Sequence, residues 1–307
     1  MVEKIKGIRI SKGQSAGGLV RQMRFAGLQA GELGKAVEVI REMKRAKATV
    51  FFAFTSNMAS SGLRELFAQL CEEKFVDAVI TGVGSVEEDL MKTRACFLRG
   101  DFGLDDKKLH ANGINRIGNI LVPNAHYVWL EKFLQPFFKK ELQKQKKLGR
   151  LLAPHEIIGD LGLSIRDKNS FVFQCAKNGI PIYCPAPTDG AFGLQLYFFK
   201  QDHPDFGIDV SGDLKKLGEK VLLSRKTGGI VLGGGFAKHH LIGANILRGG
   251  LDYAVYVSTG TPYDGSLSGA RVNEAVSWGK VNKNAKSVYV EADASIAFPL
   301  IIAGVKG

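Results

Sequence analysis

The chain has little cysteine, no long apolar run and fewer acidic than basic side chains, and each shortage removes a class of protein. Its four cysteines (Cys71, Cys96, Cys175, Cys184) show neither C-x-x-C nor metal-ligand spacing. No disulfide framework and no metal site are therefore expected, and reduced, mostly buried thiols in a cytoplasmic protein are the simplest reading. No apolar stretch is long enough to cross a bilayer. The opening segment MVEKIKGIRISKGQSAGG lacks the continuous apolar region of a secretory signal. There is no G-x-G-x-x-G, no Pro/Ser-rich linker and no internal repeat. The expected organisation is a short, basic, Gly-rich arm over residues 1–24 followed by one domain over 25–307.

The 307 residues are 45% apolar and 23% charged, which is ordinary for a globular protein and enough for one large core or two modest ones. Forty-two basic against 30 acidic residues give a formal charge of +12. Such a chain attracts nucleic acid, anionic membrane or acidic partners. The densest basic stretch, KFLQPFFKKELQKQKKLGR (132–150), spaces Phe133, Leu134, Phe137, Phe138, Leu142 and Leu148 as in an amphipathic helix with a lysine-covered outer face. No nucleic-acid motif accompanies it, so a solvated helix face is preferred to a nucleic-acid patch.

Short apolar runs alternate with helical patterns. TVFFAFT (49–55), VDAVIT (76–81), IPIYC (180–184), GIVL (229–232), YAVYV (253–257) and SVYV (287–290) read as buried strands. Residues 60–74 read as a helix opened by two serines, with Leu63, Leu66, Phe67 and Leu70 on one face. Asn169-Ser170 reads as the cap of a second helix, closed by Asn178-Gly179. The alternation predicts an α/β fold: a Rossmann-like parallel sheet with helices on both faces. Ligands of such sheets bind beyond the carboxyl ends of the strands. That directs attention to Ser56-Asn57, Gly82–Glu88, Pro185–Gly190, Gly233–His240, Ser258–Gly260 and Glu291–Ser295.

Four constellations there could carry chemistry. Gly233-Gly234-Gly235, between a strand and a helical pattern, is either an anion cradle or a plain tight turn. Adjacent His239 and His240 must point in different directions on a helix, so at most one serves a given site as a proton shuttle, and either could be structural. Glu87, Glu88 and Asp89 either begin a helix, where acids favour the positive end, or bind a cation or a ribose hydroxyl. Lys280 closes EAVSWGK. It is either a surface lysine after a C-cap glycine or an amine made nucleophilic beside the indole of Trp278.

Taken in order, TSNMASSG (55–62), VEEDL (86–90), NGINRIGN (112–119), PTDG (187–190), GGGFAKHH (233–240), DGSLSGAR (264–271), EAVSWGK (274–280) and EADAS (291–295) resemble the deoxyhypusine synthase family from about residue 25 to residue 303. The resemblance implies a transferase that assembles as a homotetramer, with active sites at the interface of tight dimers. NAD takes a hydride from spermidine, the aminobutyl group passes to an enzyme lysine as an imine, and a lysine of the hypusine-bearing translation initiation factor receives it. By resemblance Lys280 is the nucleophile and His239 the base. Trp278, Glu88 and Glu274 line the amine site, with Gly234, Gly265 and Ser266 as further substrate contacts. Ser56, Asn57, Ser60, Gly84, Asp189, Thr259, Asp293 and Ala294 match positions that contact NAD. No metal is implied.

Two positions depart from the pattern. Leu194 and Leu267 stand where the family carries aspartates that hold amines of spermidine. Losing a buried partner of a charged amine costs on the order of 2–5 kcal/mol. The departures raise two alternatives: an aminoalkyl transferase with a homospermidine-, agmatine- or putrescine-type donor or acceptor, and a non-catalytic NAD-binding paralogue.

Overall fold

The computed structural model describes residues 3–307. In chain order its strands are β1 (Thr49–Phe54), β2 (Ala78–Thr81), β3 (Leu98–Arg99), β4 (Ile114–Ile117), β5 (Ile120–Pro123), β6 (Ile182–Tyr183), β7 (Thr227–Leu232), β8 (Leu251–Ser258) and β9 (Val281–Glu291). The chain folds as two compact units. One comprises the residues up to Thr55, Val76–Ile80 and Lys216–Gly307. The other comprises Ser56–Phe75 and Thr81–Lys215.

The first unit holds strands in the order β2-β1-β7-β8-β9. β1 to β7, β7 to β8 and β8 to β9 all pair in parallel. Such strands are covered on both faces, which is why TVFFAF and TGGIVL are buried almost throughout. The two glycines of β7 show both layers, because neighbouring residues of a strand point to opposite faces. A Cβ on Gly228 would meet Met43 of the helix Leu28–Arg45, and one on Gly229 would meet Leu241 of the helix Gly235–Ala244. On the Met43 face Phe52 stacks on Phe298 of the helix Ala294–Lys306, ring centres 5.4 Å apart. The helix Ala16–Met23 lies against that same C-terminal helix, where Gly17 permits close approach to Ala303.

The second unit is mainly helical. Phe138, on the helix Asn124–Leu148, packs among Phe192, Phe199 and Phe206 at 5.1 to 5.9 Å between ring centres. The lysine-rich stretch does form a helix that buries Leu134, Phe137, Phe138 and Leu142. It starts at Asn124, earlier than its charge pattern shows, and leaves Leu148 exposed. The capping expectation at Ser170 is met: its hydroxyl accepts from the Phe173 amide at 3.0 Å, and Gly179 closes the helix in the left-handed conformation.

Two expectations need correction. The 60–74 segment is not one helix opened by serines. Ser56–Met58 begins a turn, Ala59–Leu63 is wound as a π-helix with Gly62 at φ +102°, and only Arg64–Glu72 is regular α-helix. Nor do Glu87, Glu88 and Asp89 begin a helix. Theirs starts at Val83, so all three lie beyond its first turn and are buried. A small antiparallel sheet, β3-β5-β4, was not foreseen. Its signal is the Gly118-Asn119 turn between Ile117 and Ile120, with Gly118 at φ +62°.

Candidate active site

In the first unit, β7 runs into the glycine turn. Gly233 and Gly235 take φ of +79° and +63°, and a Cβ on Gly234 would run into Ser268. The helix Gly235–Ala244 starts there and turns its two functional side chains apart. Lys238 points inward. It is 1% exposed, its ammonium donates to the carbonyls of Leu267 and Ala270 at 2.8 Å each, and it lies 4.4 Å from the Tyr256 ring centre. Burial holds this lysine down at about 8, with Glu274 opposing the shift. His239 points outward, and its Nε2 lies 3.4 Å from Nζ of Lys280.

Lys280 is delivered by the helix Val272–Ser277. Gly279, at φ +67°, turns the chain out of that helix and into β9. The Lys280 amide then donates to Ala275 at 2.9 Å, and its carbonyl accepts from Leu251 at 3.1 Å, so the backbone below the amine is tied on both sides. The Trp278 ring centre is 5.0 Å from Nζ. This indole is 67% exposed within the chain, so it forms an open platform rather than a buried wall. Glu274, Trp278, Lys280, Lys238, Arg271 and Leu267 line one crevice of about 20 Å³, room for roughly one water. Gly265 and Ser266 lie in an exposed loop, where the Ser266 amide donates to Asp264 at 2.8 Å. Thr259 is exposed just past β8. Asp293 caps the helix Ala294–Lys306 by accepting from the Ser295 amide at 2.7 Å, with Ala294 buried behind it.

In the second unit the three acids of VEEDL divide their work. Glu87 accepts from the amides of Ala191 and Phe192 at 3.0 and 2.6 Å and so caps the helix Ala191–Asp202. Asp89 pairs with Arg64 and accepts from the Ser170 hydroxyl at 2.5 Å. Glu88, 8% exposed, accepts from the Ser60 hydroxyl. Its carboxyl is pushed up to about 7, chiefly by burial; Ser60 opposes the rise and neighbouring Glu87 adds to it. Lys92, one turn on, donates to the carbonyls of Ala59 and Ser60 at 2.7 and 2.8 Å and holds the π-helical segment in place. A Cβ on Gly84 would meet the Ser56 hydroxyl at 2.7 Å, so the close approach of Ser56 needs glycine there. Asn57, Asp189 and Gly190 are exposed, and Leu194 is 53% exposed on the Ala191–Asp202 helix.

The site residues expected from sequence thus form two groups. Lys280, His239, Trp278, Glu274, Gly234, Gly265, Ser266, Thr259, Asp293 and Ala294 belong to the first unit, and Ser56, Asn57, Ser60, Gly84, Glu88 and Asp189 to the second. Direct side-chain contact is seen for Lys280 with His239 and Trp278, and for Ser60 with Glu88. Sequence reading missed Lys238 and Lys92. The only local signal was for Lys238, which follows Phe236-Ala237 directly after the glycine turn; Lys92 sits among charged residues of its helix and has none.

The family profile described as DS, Deoxyhypusine synthase, matches residues 18–305. The chain belongs to the deoxyhypusine synthase family. Among its relatives, the probable deoxyhypusine synthase of Pyrococcus abyssi is 42% identical over 97% of this chain and 93% of its own. That of Methanocaldococcus jannaschii is 45% identical over 90% and 88%. The deoxyhypusine synthase of the plant Senecio vernalis is 39% identical over 98% and 88%. A crystal structure from Entamoeba histolytica, assigned provisionally as a deoxyhypusine synthase, is 28% identical over 98% of this chain and 96% of that one, with a TM-score of 0.73. Deoxyhypusine synthases are NAD-dependent aminobutyl transferases, which places this chain among the transferases.

Proposed function

We propose that the protein transfers the aminobutyl group of spermidine, through an imine on Lys280, to a lysine of the hypusine-bearing translation initiation factor. The observation that carries this reading is the placement of Lys280 Nζ 3.4 Å from an imidazole and 5.0 Å from an indole. An amine becomes a nucleophile only as its neutral form, and His239 is placed to take or return its proton. The Trp278 face attracts organic cations and so guides an amine donor toward Nζ. Glu274 lines the same crevice and offers a carboxylate to an ammonium. Glu88, once ionised, does the same beside Ser60.

Bound NAD supplies the acceptor for the donor's hydride. The chain's own features fit such a group. Gly235, the first residue of the Gly235–Ala244 helix, is exposed with nothing within 4 Å of a Cβ built on it, and amides at a helix start favour phosphate oxygens. Ser56, Asn57, Ser60, Gly84, Asp189, Thr259, Asp293 and Ala294 would line the cofactor. Residues 25–307 act as the catalytic domain of a cytoplasmic homotetramer.

One observation favours a second reading of the donor. Leu267 lines the Lys280 crevice, an apolar wall unsuited to a second ammonium. A donor with fewer positive charges, such as putrescine or agmatine, fits that wall better. Both readings are separated by incubating the protein with NAD and spermidine, putrescine or agmatine in turn, adding borohydride and measuring the mass of the Lys280 peptide. The amine whose own incubation adds an aminoalkyl mass is the donor. No adduct with any amine, together with no NADH absorbance, rules out the transferase reading.

A further inference from the structure

Lys238 is the least expected side chain of the first unit. It follows the glycine turn, carries an ammonium, and is as buried as the core leucines around it. Burying an ammonium is costly unless it is fully hydrogen-bonded, and an apolar side chain of that length would fill the space without the cost. Core stability alone therefore does not call for lysine here. The groups that receive its protons give a better reason. Ala270 directly precedes Arg271, the N-cap of the Val272–Ser277 helix, and Leu267 ends the exposed loop before it. That short helix carries Glu274 and ends at Trp278, two residues before Lys280. Its far end is fixed to the sheet through the Lys280 backbone. Its near end is held by Lys238 and by two glycine contacts, Gly234 against Ser268 and Gly269 against Thr261.

The other end of the tie is the helix that bears His239. Neighbouring residues on a helix are about 100° apart around the axis. Fixing Lys238 inward against Leu267, Ala270 and the Tyr256 ring therefore fixes the direction in which His239 points. We propose that Lys238 is a positioning residue that joins the His239 helix to the Lys280 segment and so sets the distance between the imidazole and the amine. It acts through the two elements it connects, by its hydrogen bonds to the Leu267 and Ala270 carbonyls. The proposal rests on Lys280 and His239 being the reacting pair.

The test uses a reaction that needs neither NAD nor an amine donor. The full chain is treated with trinitrobenzenesulfonate at pH 8, and the labelling rate of Lys280 is measured by peptide mass against exposed Lys283 in the same sample. His239→Ala is expected to change the Lys280 rate by roughly 3- to 10-fold, the worth of about one hydrogen bond. Lys238→Met is expected to change it in the same direction by at least half as much on a logarithmic scale. The double variant should match His239→Ala alone, because both act on one pairing. Lys238→Gln, which keeps an N–H donor, should lie between Met and the parent. Additive effects of the two substitutions, or a Lys238→Met rate equal to the parent, would overturn the proposal. So would a His239→Ala protein whose Lys280 rate is unchanged. If neither Lys238 variant folds by circular dichroism, Lys238 is a core residue and the proposal fails. Failure of the aminobutyl-transfer reading would instead show as intact coupling in this assay with no borohydride adduct from any amine.

Discussion

The ammonium of Lys92 lies 2.8 Å from the carbonyl oxygen of Ser60, the same residue whose hydroxyl donates to Glu88. One lysine thus holds the backbone of the π-helical segment while its charge sits one turn from the carboxylate that segment contacts. It lowers the cost of ionising Glu88, which burial alone would raise further.

Lys92→Met should leave the carbonyls of Ala59 and Ser60 without their donor and push Glu88 higher. The expected stability loss is about 1–3 kcal/mol, the penalty of unsatisfied, partly buried polar groups. Amine binding measured by calorimetry should fall more at pH 7 than at pH 9, since at pH 9 the carboxyl is ionised in either protein. Equal losses at both values would mean that Lys92 acts only on the backbone.

Glu88 itself carries a pH signature. Its folded value of about 7 lies above the ordinary 4.5, so the folded state holds more protons between those values. The contribution to stability is therefore complete below about pH 4.5 and is lost as pH rises to about 7. A shift of this size is worth on the order of 3 kcal/mol at most. Glu88→Gln should unfold near the parent temperature at pH 5 and above it at pH 8. Amine affinity should run the other way, rising through pH 7 in the parent and staying flat in the Gln variant. A parent affinity that does not change across pH 6–8 would remove Glu88 from the amine site.

Leu267→Asp places a carboxylate in the crevice that holds Lys280 and Glu274. Spermidine affinity is expected to rise about 10-fold or more, with putrescine changing less, because only the longer amine has a third charge to satisfy. Borohydride trapping at graded donor concentrations measures both. Equal gains for the two amines would assign the effect to general electrostatics.

The aromatic centre of the second unit sets its stability. Phe138→Ala empties a fully buried position between Phe192, Phe199 and Phe206 and should cost about 3–5 kcal/mol. Chemical denaturation reads this directly, and a loss under 1 kcal/mol would mean that the cluster collapses to refill the space.

Much of the fold was legible because parallel strands covered on both faces must be continuous apolar runs, as TVFFAF, TGGIVL and YAVYV are. The Ser170 and Gly179 caps were legible for a local reason, since cap chemistry is set within a few residues. The Gly233–Gly235 turn and the Lys280 segment stood out as ordered motifs. Local pattern could not reveal the partners. Nothing around VEEDL says that Glu87 caps a helix 104 residues away or that Asp89 meets Arg64. The π-helix was hidden because Gly62 breaks the 3.6-residue repeat from within. Lys238 looked like one charge among many, since only folding brings the Leu267 and Ala270 carbonyls to it.

The chain contains two tryptophans, and Trp278 presents its ring to the amine of Lys280 at 5.0 Å. Any bond made to that nitrogen replaces the group facing the indole and changes the electric field across it. The protein therefore has a built-in optical reporter of whether its Lys280 nitrogen carries an imine. In a Trp129→Phe background, a stopped-flow emission trace would time the arrival and departure of each group on Lys280, turnover by turnover, without a label.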